Sequence, residues 1–418
     1  MISTFKNRIH QLEPVCDVIL KLNLKNFIFY CFAFFMTSWF LGWNILPGVG
    51  ISMISVIILF YNAPILLKRD VFLFPHSLPI FLFLLMHIVS YWLFYNHDYV
   101  YDGTEFLIKQ LFGIALSIAF YYVFINSRIS MRLYSKMILI HLFLISILIL
   151  PFIYKYLFVF HCPFLSTNWD AINAENKNTL GYFLVFCFVF IYAHFHHKRY
   201  AWSLISLFVI AFSTIYVMSR GALLCAGVAI ILFCVISQKK KRYIKTLSVI
   251  VLGLICLQVF FRIGIKTYNL LKADLIHPQG KTFFESTDRA ARIKDCIVGF
   301  SENPFLGHGI AAYYRDVGTL VHNDYAQLLY EFGVGGFLLF LWIITIHIRS
   351  ILGVRGLVSK EYEWLYEAQV IMLILLVIIF NFHPTYTSYF VWYVFAGSQI
   401  IVNNILNENK RLNRGVSQ

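Results

Sequence analysis

The chain has 418 residues, of which 60% are hydrophobic, 18% aromatic and only 13% charged. A soluble globular domain has no way to hide that much apolar surface from water, so the composition describes a polytopic membrane protein. The formal charge of +14 would point to nucleic acid in a soluble protein, but basic loops that hold a membrane topology account for it here.

Apolar stretches of spanning length, about 17 to 25 residues, fall near residues 26–43, 48–67, 77–95, 106–125, 137–154, 179–195, 201–218, 221–237, 246–265, 333–349, 365–382 and 389–407. The sequence therefore predicts an all-α bundle of about twelve transmembrane helices. The stretch 201–237 is too long for one span, since a continuous helix would measure about 55 Å against a hydrocarbon core of about 30 Å. It must double back, and the only interruption is Ser219, Arg220 and Gly221. The turn belongs there, which places Arg220 at a membrane face.

With the N-terminus inside, the basic residues gather in the segments of one side: Lys6 to Lys25, Lys68 and Arg69, Arg128 to Lys136, Lys198 and Arg199, Lys239 to Lys245, Arg349 to Lys360, and Lys410 to Arg414. That side is cytoplasmic by the positive-inside rule, and the long polar interval 266–332 falls on the other side. The organisation read from this is a bundle over 1–265, an outer loop over 266–332, further spans over 333–407 and a cytoplasmic tail over 408–418. Met1 to Lys25 is polar and basic, so the first span is expected to act as its own insertion signal. Cys162 and Cys296 are the two cysteines expected in outer loops; a bridge between them is permitted there, although independent buried thiols are the more common outcome.

Within the interval, Ser286, Thr287 and Asp288 are N-cap candidates for a helix over about 289–300, ended by the turn Asn303 to Gly307. Arg289 and Arg292, three apart, share a face of it. A second helix is predicted from His322 to Glu331, with His322, Ala326 and Leu329 on one side and Gly333 at its end. Both are too short to persist alone in water, so they are expected to pack on the outer ends of the bundle.

Charge in such a protein concentrates where chemistry occurs. Arg220, Arg289 and Arg292 lie near one membrane face, and the planar guanidinium pairs bidentately with phosphate oxygens. For any one of them, snorkelling to headgroups or pairing with Asp288 or Asp295 is an equal alternative. His322, with Asn323 and Asp324 beside it, is on the same side, and an imidazole of reference pKa about 6.5 takes a proton from a sugar hydroxyl at neutral pH. Helix caps and surface positions hold most such histidines. Metal sites fit poorly: there is no Asp-x-Asp, His-x-x-x-His or Cys-x-x-Cys, and Glu361 and Glu363 on the cytoplasmic side are expected to balance Lys360. Nucleotide loops and a serine elbow are absent too, so no cofactor is expected and energy must enter through an activated, membrane-borne donor.

The segment from His322 through Asn323 and Glu331 to Gly333 and Gly336 resembles the signature of the O-antigen ligase and polymerase superfamily. Ser219-Arg220-Gly221 resembles the arginine hairpin of that family, and Arg289 followed by Asn303-Pro-Phe-Leu-Gly-His-Gly309 resembles its arginine helix and turn. Ile293 departs from it, standing where an aromatic is common. The resemblance implies a GT-C-like glycosyltransferase bundle in the inner membrane of a Gram-negative bacterium, with its site on the periplasmic side. It implies an inverting, metal-independent transfer from a glycan on undecaprenyl pyrophosphate to a sugar hydroxyl of lipid A-core. Arg220, Arg289 and Arg292 would bind the pyrophosphate, His322 would deprotonate or orient the acceptor, and Asn323 and Glu331 would support them. Tyr313 and Tyr314 would stack on sugars or belong to an interfacial belt.

An O-antigen polymerase, differing chiefly in its acceptor, is the near rival; the single compact outer loop and the length favour the ligase. A lipid-linked glycan transporter is the rival of another class, but it calls for charges within the spans, which are almost uncharged. The topology itself is testable: a reporter fused after Tyr325 is expected to read as periplasmic and one after Lys241 as cytoplasmic, and the reverse result would remove the outer site.

Overall fold

The computed structural model describes residues 77–94, 103–126, 129–154, 177–217, 219–237, 244, 251, 287–382, 386 and 389–415. Its elements are α1 (Ser77–Phe94), α2 (Gly103–Asn126), α3 (Met131–Leu148), α4 (Leu150–Tyr154), α5 (Lys177–Lys198), α6 (Ala201–Tyr216), α7 (Arg220–Ile236), α8 (Thr287–Glu302), α9 (Ala312–Val317), α10 (Asp324–Gly353), a 3-10 turn at Arg355–Leu357, α11 (Glu363–Ile379) and α12 (Tyr389–Gly415). All are helices. The expected spans at 26–43 and 48–67 lie outside the described residues, as does that at 246–265 apart from residue 251.

Three of the described helices are long and apolar enough to cross a membrane by length and composition: Met131–Leu148, Leu180–Lys198 and Asp324–Leu357. Shorter apolar helices cover Ser77–Leu93, Gln110–Asn126, Ala201–Ile215 and Gly221–Ile236. The stretch 137–154 divides at Ile149, because Pro151 has no N–H to continue the ladder of α3. The stretch 201–237 divides where expected. Ser219 takes the cap position of α7 and accepts a hydrogen bond from the amide of Ala222, so the hairpin is closed by an N-cap.

α5 is the axis of the molecule. Its residues from Leu180 to Ala193 are buried almost without exception, and it packs against α6, α7 and α11. A helix apolar all round is stable only when enclosed by others. His197 near its C-terminus bonds to Glu367 Oε2 at 3.1 Å and lies 3.7 Å from Glu363, at the start of α11. The two helices are therefore antiparallel, and Glu363 has His197 as a partner rather than only the expected Lys360.

α10 packs against α1, α8, α11 and α12. One face, with Phe340, Ile343, Ile344 and Ile351, is buried; the other leaves Leu338, Trp342 and Leu352 exposed. On a helix of this length and apolarity that exposed stripe is suited to lipid.

The second helix of the interval differs from the sequence expectation at both ends. It begins at Asp324, because Asn323 is its cap, accepting from the amide of Ala326 at 2.9 Å. His322 stands outside it with φ 59°, so it does not share a helix face with Ala326 and Leu329. At the other end the chain breaks at Gly333 (φ 62°, ψ −161°) and then resumes helix to Gly353. That conformation is essentially restricted to glycine.

The break is repaired by the turn that follows α8. The amides of His308 and Gly309 donate to the carbonyls of Tyr330 and Glu331, both at 2.9 Å, and the amide of Val334 donates to Pro304 O at 2.8 Å. Three polar backbone groups freed at the break, the carbonyls of Tyr330 and Glu331 and the amide of Val334, thus find partners in the turn. A Cβ at Gly333 would stand 2.6 Å from the Phe305 carbonyl, and one at Gly307 (φ 67°) would meet the backbone of Glu331. Gly333→Ala is expected to lower stability by about 2 to 4 kcal/mol, the sum of backbone strain and the steric contact. Thermal unfolding of the purified protein in detergent measures it, and an unchanged midpoint would contradict this account of the break.

Candidate active site

The segment that carries His322 is held by two elements, α8 and the C-terminal end of α11. Arg292 Nη1 on α8 donates to Leu320 O at 2.8 Å, two residues before the histidine. After it, the Asp324 amide donates to Phe380 O at 2.7 Å, the Asn323 side chain reaches Asn381 O at 3.5 Å, and Tyr325 OH donates to Val377 O at 3.0 Å. His322 is thus held at the head of α10, against the C-terminal end of α11, in a left-handed conformation that costs a residue with a Cβ about 1 to 2 kcal/mol. Strain of this kind persists only where its surroundings impose it.

Arg220 and Arg289 have defined backbone positions, and their side chains lie outside what the structure describes. Arg220 is the first residue of α7. The start of α7 lies on the start of α5: Cβ atoms of Ser219 and Ala222 stand 2.8 Å from where a Cβ on Gly181 would be. Since α5 and α11 run antiparallel, the start of α5 and the end of α11 are the same end of the bundle. Arg220 and His322 therefore share that end. Arg289 lies in the first turn of α8, one turn before Arg292.

Arg292 is half-buried, and the contact with Leu320 makes it a support of the histidine segment. Around it lies a small second core of Cys296, Tyr313, Val321, Ala326 and Tyr330, against which Ile293 packs. Ile293 is thus a core residue of this cluster, whose ring contact is supplied by Tyr313 against Tyr330 at 5.4 Å between centroids. Tyr313 is 1% exposed, which removes it as a surface for stacking on sugars, and burial pushes its phenol up to about 12. Cys296 is a free, buried thiol raised by the same cause; Cys162 lies outside the described residues, and so does Ser286. Thr287 and Asp288 are inside α8 rather than before it.

Glu331 is 0% exposed. It receives hydrogen bonds from Gln327 at 3.0 Å, Gln110 at 3.2 Å, Tyr386 at 3.1 Å and the backbone of Ala311. Gln110 also donates to the Tyr386 hydroxyl. Of these partners Gln327 and Ala311 were near residues singled out from the sequence. Gln110 carried a signal, an amide inside the predicted span 106–125, where an unpaired polar group is costly; Tyr386, in a polar interval between spans, carried none. Among the described residues no group of three or more His, Cys, Asp or Glu side chains is placed to hold a metal ion.

Residues 205–341 match the family model described as O-antigen ligase. Over that stretch the chain is similar to the O-antigen ligase family. The matched region begins in α6 and runs through the hairpin, α8 and the break in α10, so it contains Arg220, Arg289, Arg292, His322 and Glu331. No curated protein matches the chain.

Beside the site, Tyr330 OH donates to Asp316 at 2.8 Å, Arg315 pairs with the same carboxylate at 2.6 Å, and His308 stacks on Tyr330 at 4.6 Å. Burial raises the Asp316 carboxyl, but the Arg315 and Tyr330 hydrogen bonds outweigh it and the net shift is downward from 3.8. A depressed carboxylate stabilises the fold above its unfolded value, and that contribution is lost as pH falls through the folded one. Asp316→Asn is therefore expected to lower the unfolding midpoint at neutral pH and to converge with the unsubstituted protein below about pH 4. Thermal scans of both from pH 7 to 3 test this, and a constant gap would refute it.

Proposed function

We propose that this protein transfers a glycan from undecaprenyl pyrophosphate to a sugar hydroxyl of lipid A-core, as an O-antigen ligase at the periplasmic face of the inner membrane. The family match supports an enzyme of the glycosyl-transfer, ligase/polymerase kind, and the apolar helices support a membrane protein. The observation that carries the finer reading is His322, held in a left-handed conformation at the head of α10 and at the same bundle end as Arg220.

In this reading Arg220 and Arg289 bind the donor pyrophosphate. Arg220 opens a helix of 17 residues, so backbone amides and the helix dipole at that end add to its attraction for an anion. Arg292 assists them chiefly by holding the His322 segment. His322 accepts the proton of the acceptor hydroxyl as that oxygen attacks C1 of the donor sugar. The C1–O bond breaks from the opposite side, its electron pair leaves with the pyrophosphate, and the anomeric centre inverts. The guanidiniums stabilise the charge growing on the leaving group, an electrostatic contribution of about 3 to 4 kcal/mol per well-placed donor. Asn323 caps the helix and Glu331 supports it. No cofactor takes part.

His322→Ala and Arg220→Ala are expected to abolish polymer-capped lipopolysaccharide while membrane levels stay normal. Arg289→Lys is expected to recover little, since a point charge does not replace a bidentate fork. The readout is the lipopolysaccharide gel: core without polymer, with polymer accumulating on its lipid carrier, is the ligase phenotype. Core bearing a single repeat would instead identify a polymerase, and wild-type capping in both alanine variants would exclude this site. Purified protein is expected to stay active in a chelator of divalent ions.

A further inference from the structure

The Glu331 carboxylate stands where four parts of the chain meet. Gln327 belongs to the first turns of α10, Gln110 to α2, Tyr386 to the segment between α11 and α12, and Ala311 to the turn between α8 and α9. All four groups donate and Glu331 accepts. Both glutamines turn their amide nitrogens toward it, although this leaves Gln110 Oε1 and Gln327 Oε1 buried without a partner among the described residues. A buried acceptor left unpaired costs about 1 to 3 kcal/mol, so the demand of the carboxylate for donors outweighs that cost twice over.

The position matters as much as the bonds. Glu331 lies two residues before the break at Gly333, and its own carbonyl is one of the two taken by the 303–309 turn. Through Gln327, whose amide donates to the carbonyl of the Asn323 cap at 3.0 Å, the same carboxylate reaches the residue next to His322. Gln110 and Tyr386 lie outside the region shared with the family, on α2 and before α12. They come from parts of the chain that carry no other candidate site residue.

We propose that Gln110 and Tyr386 are positioning residues for the transfer: by holding Glu331 they lock the broken helix α10 in the register that presents His322. Glu331 then acts as a hydrogen-bond acceptor and takes no proton in the reaction. This rests on the proposed transferase activity, and its own structural half can be read without it.

The test uses the full-length protein in lipid nanodiscs, with an undecaprenyl-pyrophosphate-linked glycan as donor and lipid A-core as acceptor. Gln110→Ala and Tyr386→Phe are expected to lower kcat about 10- to 100-fold, the scale of a misplacement near 1 Å, with donor KM within about twofold. Hydrogen exchange at the amides of His308, Gly309 and Val334 is expected to quicken at least about tenfold in both, because these amides close the break. Glu331→Gln alone should lose activity, whereas Glu331→Gln combined with Gln110→Glu exchanges amide and carboxylate in place and should restore kcat to within about tenfold. A pair as inactive as Glu331→Gln alone would overturn the proposal, since it would mean that the carboxylate is needed where it stands. So would wild-type kcat in both Gln110→Ala and Tyr386→Phe. If the unsubstituted protein transfers nothing, the transferase reading fails, and the exchange rates still decide the lock: unaltered rates in both variants overturn it.

Discussion

One exchange of backbone hydrogen bonds governs the described half of this site. A helix that enters an apolar bundle cannot leave its amides and carbonyls unpaired, so a break at Gly333 demands an external set of partners. The turn from Asn303 to Gly309 supplies them, giving amides to Tyr330 and Glu331 and a carbonyl to Val334. Two glycines make this geometry accessible, one for its backbone angles and close approach at the break and one for the passage of the turn over it. The turn motif and the helix motif are thus a single object, although about twenty residues of chain separate them.

Burial of Glu331 at that junction would be costly if the carboxylate were isolated, and its four donors offset part of that cost. Buried ion or hydrogen-bond networks add little net stability compared with apolar packing, but breaking one leaves an uncompensated group at a cost of about 3 to 5 kcal/mol. What such a network provides is a unique arrangement. Here it ties α2, α10, the 311 turn and the segment before α12 to one carboxylate, and the alternatives in which α10 slides or straightens each abandon several donors.

The same logic separates the roles of the basic residues. Arg292 has a carbonyl to hold, and the strap it fixes ends at His322. Arg220 begins a helix whose start is pressed against α5, so its backbone position is set by close packing. At the opposite end of the bundle, His197 joins α5 to Glu363 and Glu367 on α11; that contact sets the antiparallel direction by which Arg220 and His322 come to share the other end.

Much of this was legible in residue order. Apolar runs gave the helices because every backbone group in lipid must be bonded within its own segment, and the length of 201–237 against a bilayer required the hairpin at Ser219 to Gly221. The spacing of Arg289, Asn303, His322, Glu331 and Gly333 carried the family resemblance. Residue order could not show that His322 stands outside the helix, that Asn323 caps it, or that Tyr313 is buried, because each depends on what the neighbouring segments occupy. Nor could it find Gln110 and Tyr386, since a hydrogen bond spanning 221 residues leaves no local pattern. The sequence by itself determined which segments are helical and which residue types are available for chemistry; the tertiary structure decided which of them meet, because that is fixed by packing between segments far apart in the chain.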